Sequence, residues 1–343
     1  MIIRSKAPLR LGLAGGGSDV SPYCDIYNGA ILNVTINLFA YCTIETTNDG
    51  KISMDAIDMN QTFSTDANGN KIEIDGTLDL IKGTYNKILD IYGKAIPPCK
   101  ITTFSDAPAG SGLGSSSTMV VAILKAFVEW LNLPLGEYDI ASIAYVIERV
   151  DLKQAGGKQD QYAATFGGFN FMEFGKNNSV IVNPLRIKRW ILDELEASLL
   201  LYYTGISRFS SSIIDEQIKN TQQNNSQAVS AMHKIKQSAF DMKTALLKGD
   251  IQDVGKILGS AWEEKKKMAN SITNKDIQNV MEIAMNAGAT SGKISGAGGG
   301  GVIIFFVPPT KKYHLKNVLS KQEGSIINFN FTSSGTHGWK ILD

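Results

Sequence analysis

The chain of 343 residues is long enough for two domains of ordinary size, and its 43% hydrophobic and 20% charged residues are typical of a globular protein. Because 34 Lys and Arg nearly cancel 33 Asp and Glu, the net charge of +1 gives no support for nucleic-acid binding as the main task. The three cysteines, Cys24, Cys42 and Cys99, form no CxxC pair, which argues against a disulfide framework or a zinc site. No apolar run resembles a signal peptide or the roughly 20 residues of a membrane span. We therefore expect a cytoplasmic protein without a membrane partner.

The first part of the chain is rich in predicted strands. Alternating and β-branched apolar residues predict strands over residues 2–13 and 30–44. Polar residues and short alternating pieces over residues 48–76 indicate hairpins at an antiparallel edge. A helix is predicted near residues 78–92, and a short strand near residues 100–104 follows it.

Residues 108–117, with the sequence PAGSGLGSSS, form a glycine-rich loop that leads into an apolar run with helical spacing. The helix is predicted to have Ser115 or Ser116 as its N-cap and to end before Pro134. Glycines let a backbone approach a phosphate closely, and the unpaired amides and dipole of a helix N-terminus favour an anion. The loop therefore indicates a phosphate site, with an ordinary turn before a core helix as the alternative.

Two common nucleotide-binding patterns do not fit this loop. A Walker loop ends in Gly-Lys-Ser/Thr, but Ser115 stands where the lysine belongs. A dinucleotide fingerprint requires GxGxxG, whereas Gly110, Gly112 and Gly114 give GxGxG. A dinucleotide-dependent oxidoreductase is therefore disfavoured.

Helices dominate the second half of the chain, and strands interrupt them without strict alternation. The predicted elements are helix 137–152, strands 169–172 and 199–203, helices through 210–286, strand 302–307, a helix near 311–320 and a strand near 326–331. This arrangement favours an α+β fold over a doubly wound sheet.

Three glycine-rich segments resemble, in their order and separation, the three motifs of the GHMP kinase superfamily. They are residues 10–19, 108–117 and 293–301. Within the superfamily, RLGLAGGGSD at residues 10–19 and GGKQDQY at residues 156–162 make the chain most similar to the D-glycero-D-manno-heptose 7-phosphate kinases.

The resemblance implies a two-domain GHMP kinase fold, with an N-terminal domain similar to domain 2 of ribosomal protein S5 and a ferredoxin-like C-terminal domain. A change in composition places these domains at residues 1–190 and 191–343, with the active site in the cleft between them. The implied reaction is ATP-dependent phosphorylation of the anomeric hydroxyl of D-glycero-D-manno-heptose 7-phosphate to the 1,7-bisphosphate, for bacterial surface polysaccharide. The alternatives are a kinase for fucose or an amino sugar, and a catalytically silent sensor that binds ATP and a sugar. The sequence leaves a homodimer open.

On the nucleotide side, the resemblance assigns the ATP phosphates to Pro108, Gly110, Ser111, Gly112, Leu113, Gly114, Ser115 and Ser116. Magnesium would be held by Ser116 and Glu148, with a solvated helix charge as the alternative for Glu148. Asp160 is the expected base, because a carboxylate near a sugar hydroxyl can accept its proton. An Asx turn is the alternative for Asp160. Arg10 would place a fixed cation beside Asp160 and offset developing phosphate charge, unless it is an exposed strand-end charge.

On the acceptor side, Asp19 resembles the aspartate that binds sugar hydroxyls in galactokinase-like members, and Gly16 and Gly17 precede it. An N-cap of the next helix is the alternative for Asp19. Backbone close to the nucleotide or the acceptor would come from the last glycine segment, at Gly296, Gly298 and Gly299.

A phosphorylated substrate requires a second cationic site. Arg208 follows a predicted strand and is expected to hold the distal phosphate of the sugar through two parallel hydrogen bonds. The second candidates are three consecutive lysines on a later helix, Lys265, Lys266 and Lys267, for which a solvated face is the alternative.

Overall fold

The computed structural model describes residues 1–108, 110–205 and 210–341. The strands are β1 (Ile2–Ala14), β2 (Gly29–Thr46), β3 (Lys51–Ala56), β4 (Gln61–Asp66), β5 (Cys99–Ser105), β6 (Phe169–Phe174), β7 (Val180–Pro184), β8 (Leu199–Tyr203), β9 (Ser291–Ile294), β10 (Val302–Phe306), β11 (Ser325–Ile327) and β12 (His337–Ile341). The helices are α1 (Tyr23–Tyr27), α2 (Asp79–Tyr92), α3 (Ser115–Leu131), α4 (Glu137–Val146), α5 (Gln159–Phe166), α6 (Arg189–Ser198), α7 (Ser210–Gln222), α8 (Ser226–Lys248), α9 (Ile251–Lys265), α10 (Lys275–Asn286) and α11 (Pro309–Leu319). Arg208 lies outside the described residues, so its role stays a prediction.

The larger sheet has eight strands and is built around the long strand β2. Its main path runs β12-β1-β2-β5-β3-β4, and β6 and β7 continue from β2. The predicted hairpin is confirmed, because β3 and β4 pair antiparallel at one edge of this path. Helix α3 packs on β1 and β2. Its apolar residues at helical spacing, among them Val120, Ile123 and Phe127, are buried in that core.

The smaller sheet has four antiparallel strands in the order β11-β8-β10-β9. Numbered along the chain, these are the fourth, first, third and second strands, which is the order of a ferredoxin-like split βαβ unit. Helices α7 to α10 stand between β8 and β9, where one crossover helix is usual. The predicted ferredoxin-like topology is therefore confirmed. Among the described residues, no helix is long and apolar enough to cross a membrane.

The two sheets share a hydrophobic core along β1. Every residue of β1 from Ala7 to Ala14 is buried, and α3, α5, α8 and α9 all contact this strand. Leu11 of β1, Leu201 of β8 and Ile304 of β10 belong to one apolar cluster. The end of β1 that carries Arg10 is thus held by elements from both sheets.

The last strand returns to the larger sheet, which the sequence did not predict. β12 pairs antiparallel with β1, so that Ile341 stands opposite Ile2 and His337 opposite Lys6. These residues lie within the predicted domain 191–343 but belong to the sheet of the first domain. The division at residue 190 itself stays a prediction.

Candidate active site

A cleft of about 1170 Å³ lies where the three glycine-rich segments meet. Most predicted site residues line it: Arg10, Gly17, Asp19, Pro108, Gly110, Gly112, Gly114, Ser115, Ser116, Glu148, Asp160, Gly296 and Gly298. Four others do not belong to its lining: Gly16, Ser111, Leu113 and Gly299. Residues separated by up to 288 positions in sequence, Arg10 and Gly298, therefore face one space.

The glycine-rich loop before α3, called the phosphate loop for its predicted role, leads into a helix whose N-terminus has no side-chain cap. α3 begins at Ser115, and its N-cap is Gly114 at φ +81°. The prediction of Ser115 or Ser116 as N-cap is wrong because their hydroxyls have other partners. Ser116 Oγ donates to Glu148 Oε1 at 2.7 Å, and Ser115 Oγ lies 3.1 Å from Ser111 Oγ. Ser115, Ser116 and Ser117 in the first turn of α3 line the cleft, and the uncapped amides of such a turn suit an anion.

The last glycine segment packs directly on the phosphate loop. Val302 N donates to Ser111 O at 2.8 Å, and Ser295 Oγ donates to Gly112 O at 3.0 Å. A Cβ on Gly112 would lie 2.4 Å from Ser295 O, and one on Gly301 would lie 2.5 Å from Ser111 O. Gly112 and Gly301 therefore each lie against the backbone of the other segment, with no room for a side chain between the two segments.

Arg10 and Asp160 form a bidentate ion pair in the cleft. Arg10 Nε donates to Asp160 Oδ1 at 2.8 Å, and Nη2 donates to Oδ2 at 2.9 Å. Arg10 Nη1 donates to Gly112 O and lies 3.3 Å from Ser295 Oγ. Arg10 is only 3% exposed, so it is not an exposed strand-end charge. Most of its N–H groups are engaged by the protein itself.

Asp160 lies in the first turn of α5. Its side chain is 20% exposed and reaches the cleft. A Cβ on Gly114 would lie 3.3 Å from Asp160 Cγ, so the phosphate loop passes directly beside this carboxylate.

Asp19 caps α5 from a distant part of the chain. Its Oδ2 accepts hydrogen bonds from Lys158 N at 2.7 Å and from Gln159 N at 2.9 Å. Burial raises the pKa of Asp19, the charge of Asp160 raises it further, and these amides oppose the shift. The predicted alternative, a cap of the next helix, is replaced by a cap on the helix that carries Asp160.

Glu148 and Ser116 place two side-chain oxygens next to each other at the phosphate loop. A π-helical turn over Ile147–Asp151 continues α4 and contains Glu148, which is fully buried. Glu148 accepts from Ser116 Oγ and from Gln161 Nε2, and Arg149 Nη1 lies 3.8 Å from its Oε1. Glu148 is therefore not a solvated helix charge. A carboxylate beside a hydroxyl suits a hard cation such as magnesium, although the described residues contain no cluster of three or more acidic, His or Cys groups.

Comparison with known proteins identifies the family. The families GHMP kinases N terminal domain and GHMP kinases C terminal match residues 79–168 and 242–324. The chain is 50% identical over 342 residues to the D-glycero-alpha-D-manno-heptose 7-phosphate kinase of Campylobacter jejuni, with 99% of both chains covered. It belongs to the GHMP kinase family.

Two further relatives show which members of the family this GHMP kinase is similar to. A solved structure from Bacteroides thetaiotaomicron, described as a D-glycero-D-manno-heptose 1-phosphate kinase, shares 54% identity and a TM-score of 0.86, covering 99% of this chain and 100% of its own. The L-fucokinase/L-fucose-1-P guanylyltransferase of Bacteroides fragilis is 26% identical over 335 residues, 87% of this chain and 34% of that protein. The predicted family and fold are confirmed.

The three consecutive lysines predicted as a cationic site have different environments in this GHMP kinase. Lys266 and Lys267 pair with Glu263 and Glu264 at 2.8 Å and are solvated. Lys265 is buried, lines the cleft and donates to Gly296 O. Burial and Arg10 lower its pKa to about 8, and Asp19 and Asp160 oppose that shift. The signal was in the sequence, because Lys265 continues the buried face of α9 at helical spacing from its apolar residues, Val254, Leu258, Ala261 and Trp262.

The cleft of this GHMP kinase also has an apolar wall. It comes from the end of β3, the turn after it, the start of α2 and α3, and its residues are Ala56, Met59, Leu78, Ile81 and Met119. Sequence reasoning did not find this wall, because no motif marks it. An apolar slot next to an anion site suits a flat heterocycle carrying phosphates.

Proposed function

We propose that this GHMP kinase transfers the γ-phosphoryl group of ATP to the anomeric hydroxyl of D-glycero-D-manno-heptose 7-phosphate, giving the 1,7-bisphosphate for surface-polysaccharide synthesis. One observation carries the chemistry: the carboxylate of Asp160, fixed by Arg10, stands beside Gly114 at the uncapped start of α3. A proton acceptor and an anion site are thus neighbours. The choice of acceptor is supported by similarity along the whole chain to heptose phosphate kinases.

In the proposed step, Asp160 accepts the proton of the sugar hydroxyl while the hydroxyl oxygen bonds to the γ-phosphorus. The bond between that phosphorus and the β–γ bridging oxygen breaks, and ADP leaves with the electron pair. Arg10 orients the carboxylate by two hydrogen bonds, and Asp19 holds the first turn of α5 that carries it. Positioning of this kind removes much of the entropic barrier to transfer.

Ser116 and Glu148 would hold Mg²⁺, since their oxygens already lie 2.7 Å apart beside the phosphate loop. When bound, the ion supplies charge neutralisation to the triphosphate. Gln161 and Arg149 contact Glu148 and fix the direction of its carboxylate. The apolar wall would receive the adenine ring.

The names of the two heptose kinases differ in the phosphate that the acceptor already carries. One is called a heptose 7-phosphate kinase and the other a heptose 1-phosphate kinase. Both relatives match 99% of the chain. We favour the 7-phosphate because the segments at residues 10–19 and 156–162 resemble those of the heptose 7-phosphate kinases. Arg208 as the ligand of the 7-phosphate remains a prediction outside the described residues.

The test is ADP release in a coupled assay with Mg²⁺ and ATP. The acceptors are D-glycero-D-manno-heptose 7-phosphate, the corresponding 1-phosphate, mannose, fucose and galactose. The wild type is compared with Asp160→Asn and, as a control, with Asp241→Asn on the exposed face of α8, where the aspartate accepts a hydrogen bond from Gln237. ³¹P NMR of the product identifies the carbon that received phosphate.

Turnover restricted to the 7-phosphate, with an anomeric product and loss in Asp160→Asn alone, is expected. Turnover with the 1-phosphate instead would show that the acceptor is not the anomeric hydroxyl, but it would leave Asp160 as the base. Turnover with an unphosphorylated sugar would support another sugar kinase. ATP binding without any turnover would support the sensor.

A further inference from the structure

Lys265 occupies a position in the cleft that neither the motifs nor the proposed proton transfer explains. It is the last residue of α9, a helix of the smaller-sheet domain, and it is 5% exposed. Its Nζ donates to Gly296 O, and a Cβ on Gly16 would lie 3.9 Å from it. Gly296 in turn packs against Gly112. Lys265 thus lies beside the first and third glycine-rich segments, and the third packs on the second.

The ammonium of Lys265 has donors to spare. An ammonium group carries three N–H donors, and within residues 1–108, 110–205 and 210–341 a single acceptor, Gly296 O, lies within hydrogen-bond distance. No carboxylate of these residues lies within the 4.0 Å of a salt bridge. Two donors of a buried cation are therefore available to a ligand that enters the cleft.

The other cations of the cleft are already engaged or solvated. Arg10 is held by Asp160 and Gly112. Arg149 donates to the carbonyls of residues 154, 155 and 157 and approaches Ser117 Oγ. Lys153 is exposed. Lys293 is buried near Lys265 but donates to Gly12 O and Leu13 O and does not line the cleft.

The charge around Lys265 favours an anion rather than a neutral hydroxyl. The groups that face it are the cations Arg10 and Lys293 and the carboxylates Asp19 and Asp160, which are bonded to other partners. A buried ammonium without a direct counter-ion gains most from an anionic oxygen that arrives with a ligand. The anion that must pass from the phosphate loop towards Asp160 is the transferred phosphoryl group.

We propose that Lys265 donates hydrogen bonds to the transferred phosphoryl group and stabilises its charge as the phosphorus leaves ADP for the acceptor oxygen. Lys265 thereby takes the charge-stabilising role that the sequence suggested for Arg10, and Arg10 becomes a positioning residue for Asp160. This inference rests on the proposed kinase reaction but not on the identity of the sugar.

The first test compares Lys265→Met and Lys265→Arg with the wild type, using the best acceptor of the panel. The control is Lys256→Met, an exposed lysine of the same helix that pairs with Asp253. We expect Lys265→Met to lower kcat by about 10²–10³, as removal of one charge-stabilising donor does. KM for ATP and for the sugar should change less than about threefold, because the contact forms fully only in the transition state. Lys256→Met should behave as wild type.

The pH profile separates this role from a purely structural one. Because the pKa of Lys265 is about 8, wild-type kcat/KM should fall as pH rises through 8. Phosphate groups have their second pKa near 6 and do not titrate in that range. In Lys265→Arg the fall should be absent, since arginine stays charged. Persistence of the fall in the arginine variant would overturn the proposal, as would unchanged kcat in the methionine variant.

A second readout does not depend on the acceptor. Thermal stabilisation is measured with Mg²⁺ and ADP, and then with aluminium fluoride added as a mimic of the phosphoryl group in transfer. We expect equal stabilisation by ADP in the wild type and Lys265→Met, and an extra shift with the fluoride in the wild type alone. An equal extra shift in both would refute the role of Lys265 even if every sugar of the panel failed. A rise of the sugar KM with unchanged kcat would assign Lys265 to the acceptor phosphate and overturn the proposal.

Discussion

Gly157→Ala tests the long-range cap that fixes α5. A Cβ at residue 157 would lie 1.9 Å from Asp19 Oδ2, a distance that no side chain tolerates, so the carboxylate must move. It then loses the amides of Lys158 and Gln159, now at 2.7 and 2.9 Å. Hydrogen bonds to a charged group contribute about 1.5–3 kcal/mol each. At the lower end, the two together predict a loss of about 3 kcal/mol in the free energy of unfolding.

The assay is urea unfolding of the wild type, Gly157→Ala, Asp19→Ala and the double variant. If the clash with Asp19 is the whole effect, each single variant loses about 3 kcal/mol and the double variant loses no more than Asp19→Ala alone. Gly175→Ala is the control, because its Cβ would meet Asn28 Oδ1 at an ordinary 3.4 Å. Additive losses near about 6 kcal/mol would show that Gly157 acts through something other than Asp19 and would refute the reasoning.

Three more outcomes are expected. Gly112→Ala, at φ +78° and 2.4 Å from Ser295 O, should lower Tm and abolish ATP-dependent stabilisation in a thermal shift assay; unchanged ATP stabilisation would contradict the contact. Glu148→Gln should raise the Mg²⁺ concentration for half-maximal activity at least about tenfold, measured by Mg²⁺ titration; an unchanged titration would remove Glu148 from the metal site. Lys265→Met should stabilise the fold at pH 7 by up to about 3 kcal/mol, since the folded pKa of about 8 lies below the ordinary 10.5. Between pH 8 and 10.5 Lys265 is protonated in the unfolded chain but not in the folded one, so the free energy of unfolding of the wild type rises with pH. The stability advantage of Lys265→Met should therefore vanish by pH 10.5, and an advantage that persists would contradict the prediction.

Local patterns predicted most of the elements and the phosphate loop. The helical spacing after Ser117 predicted α3, and the alternation near the start predicted β1. Burial in β1 goes beyond that alternation, since every residue from Ala7 to Ala14 is buried. β12 was missed, since HGWKI carries little apolar pattern and depends on pairing with β1 for its strand structure.

The partners of the site residues were harder to predict than the residues themselves. The position of Arg10 beside Asp160 was expected from the resemblance alone, because their bidentate pairing joins positions 150 residues apart and has no local signature. For Asp19 the alternative to a sugar ligand was a cap of the next helix, because capping preferences describe neighbours in sequence, whereas α5 begins about 140 residues later. Lys265 was grouped with two solvated lysines, although the helical register of α9 alone separates it from them.

The hydrogen bond from Val302 N to Ser111 O has a consequence for motion. It joins the first residue of β10 to the loop in front of α3, so the two domains cannot separate there without breaking backbone contacts. An opening of the two domains at this contact would break the bond and expose the Val302 amide to solvent. The hydrogen-exchange rate of that amide therefore reports the free energy of the opening directly. Slow exchange without substrates would mean that this contact between the domains is formed before ATP binds. Any closure around the sugar would then come from other parts of the cleft lining.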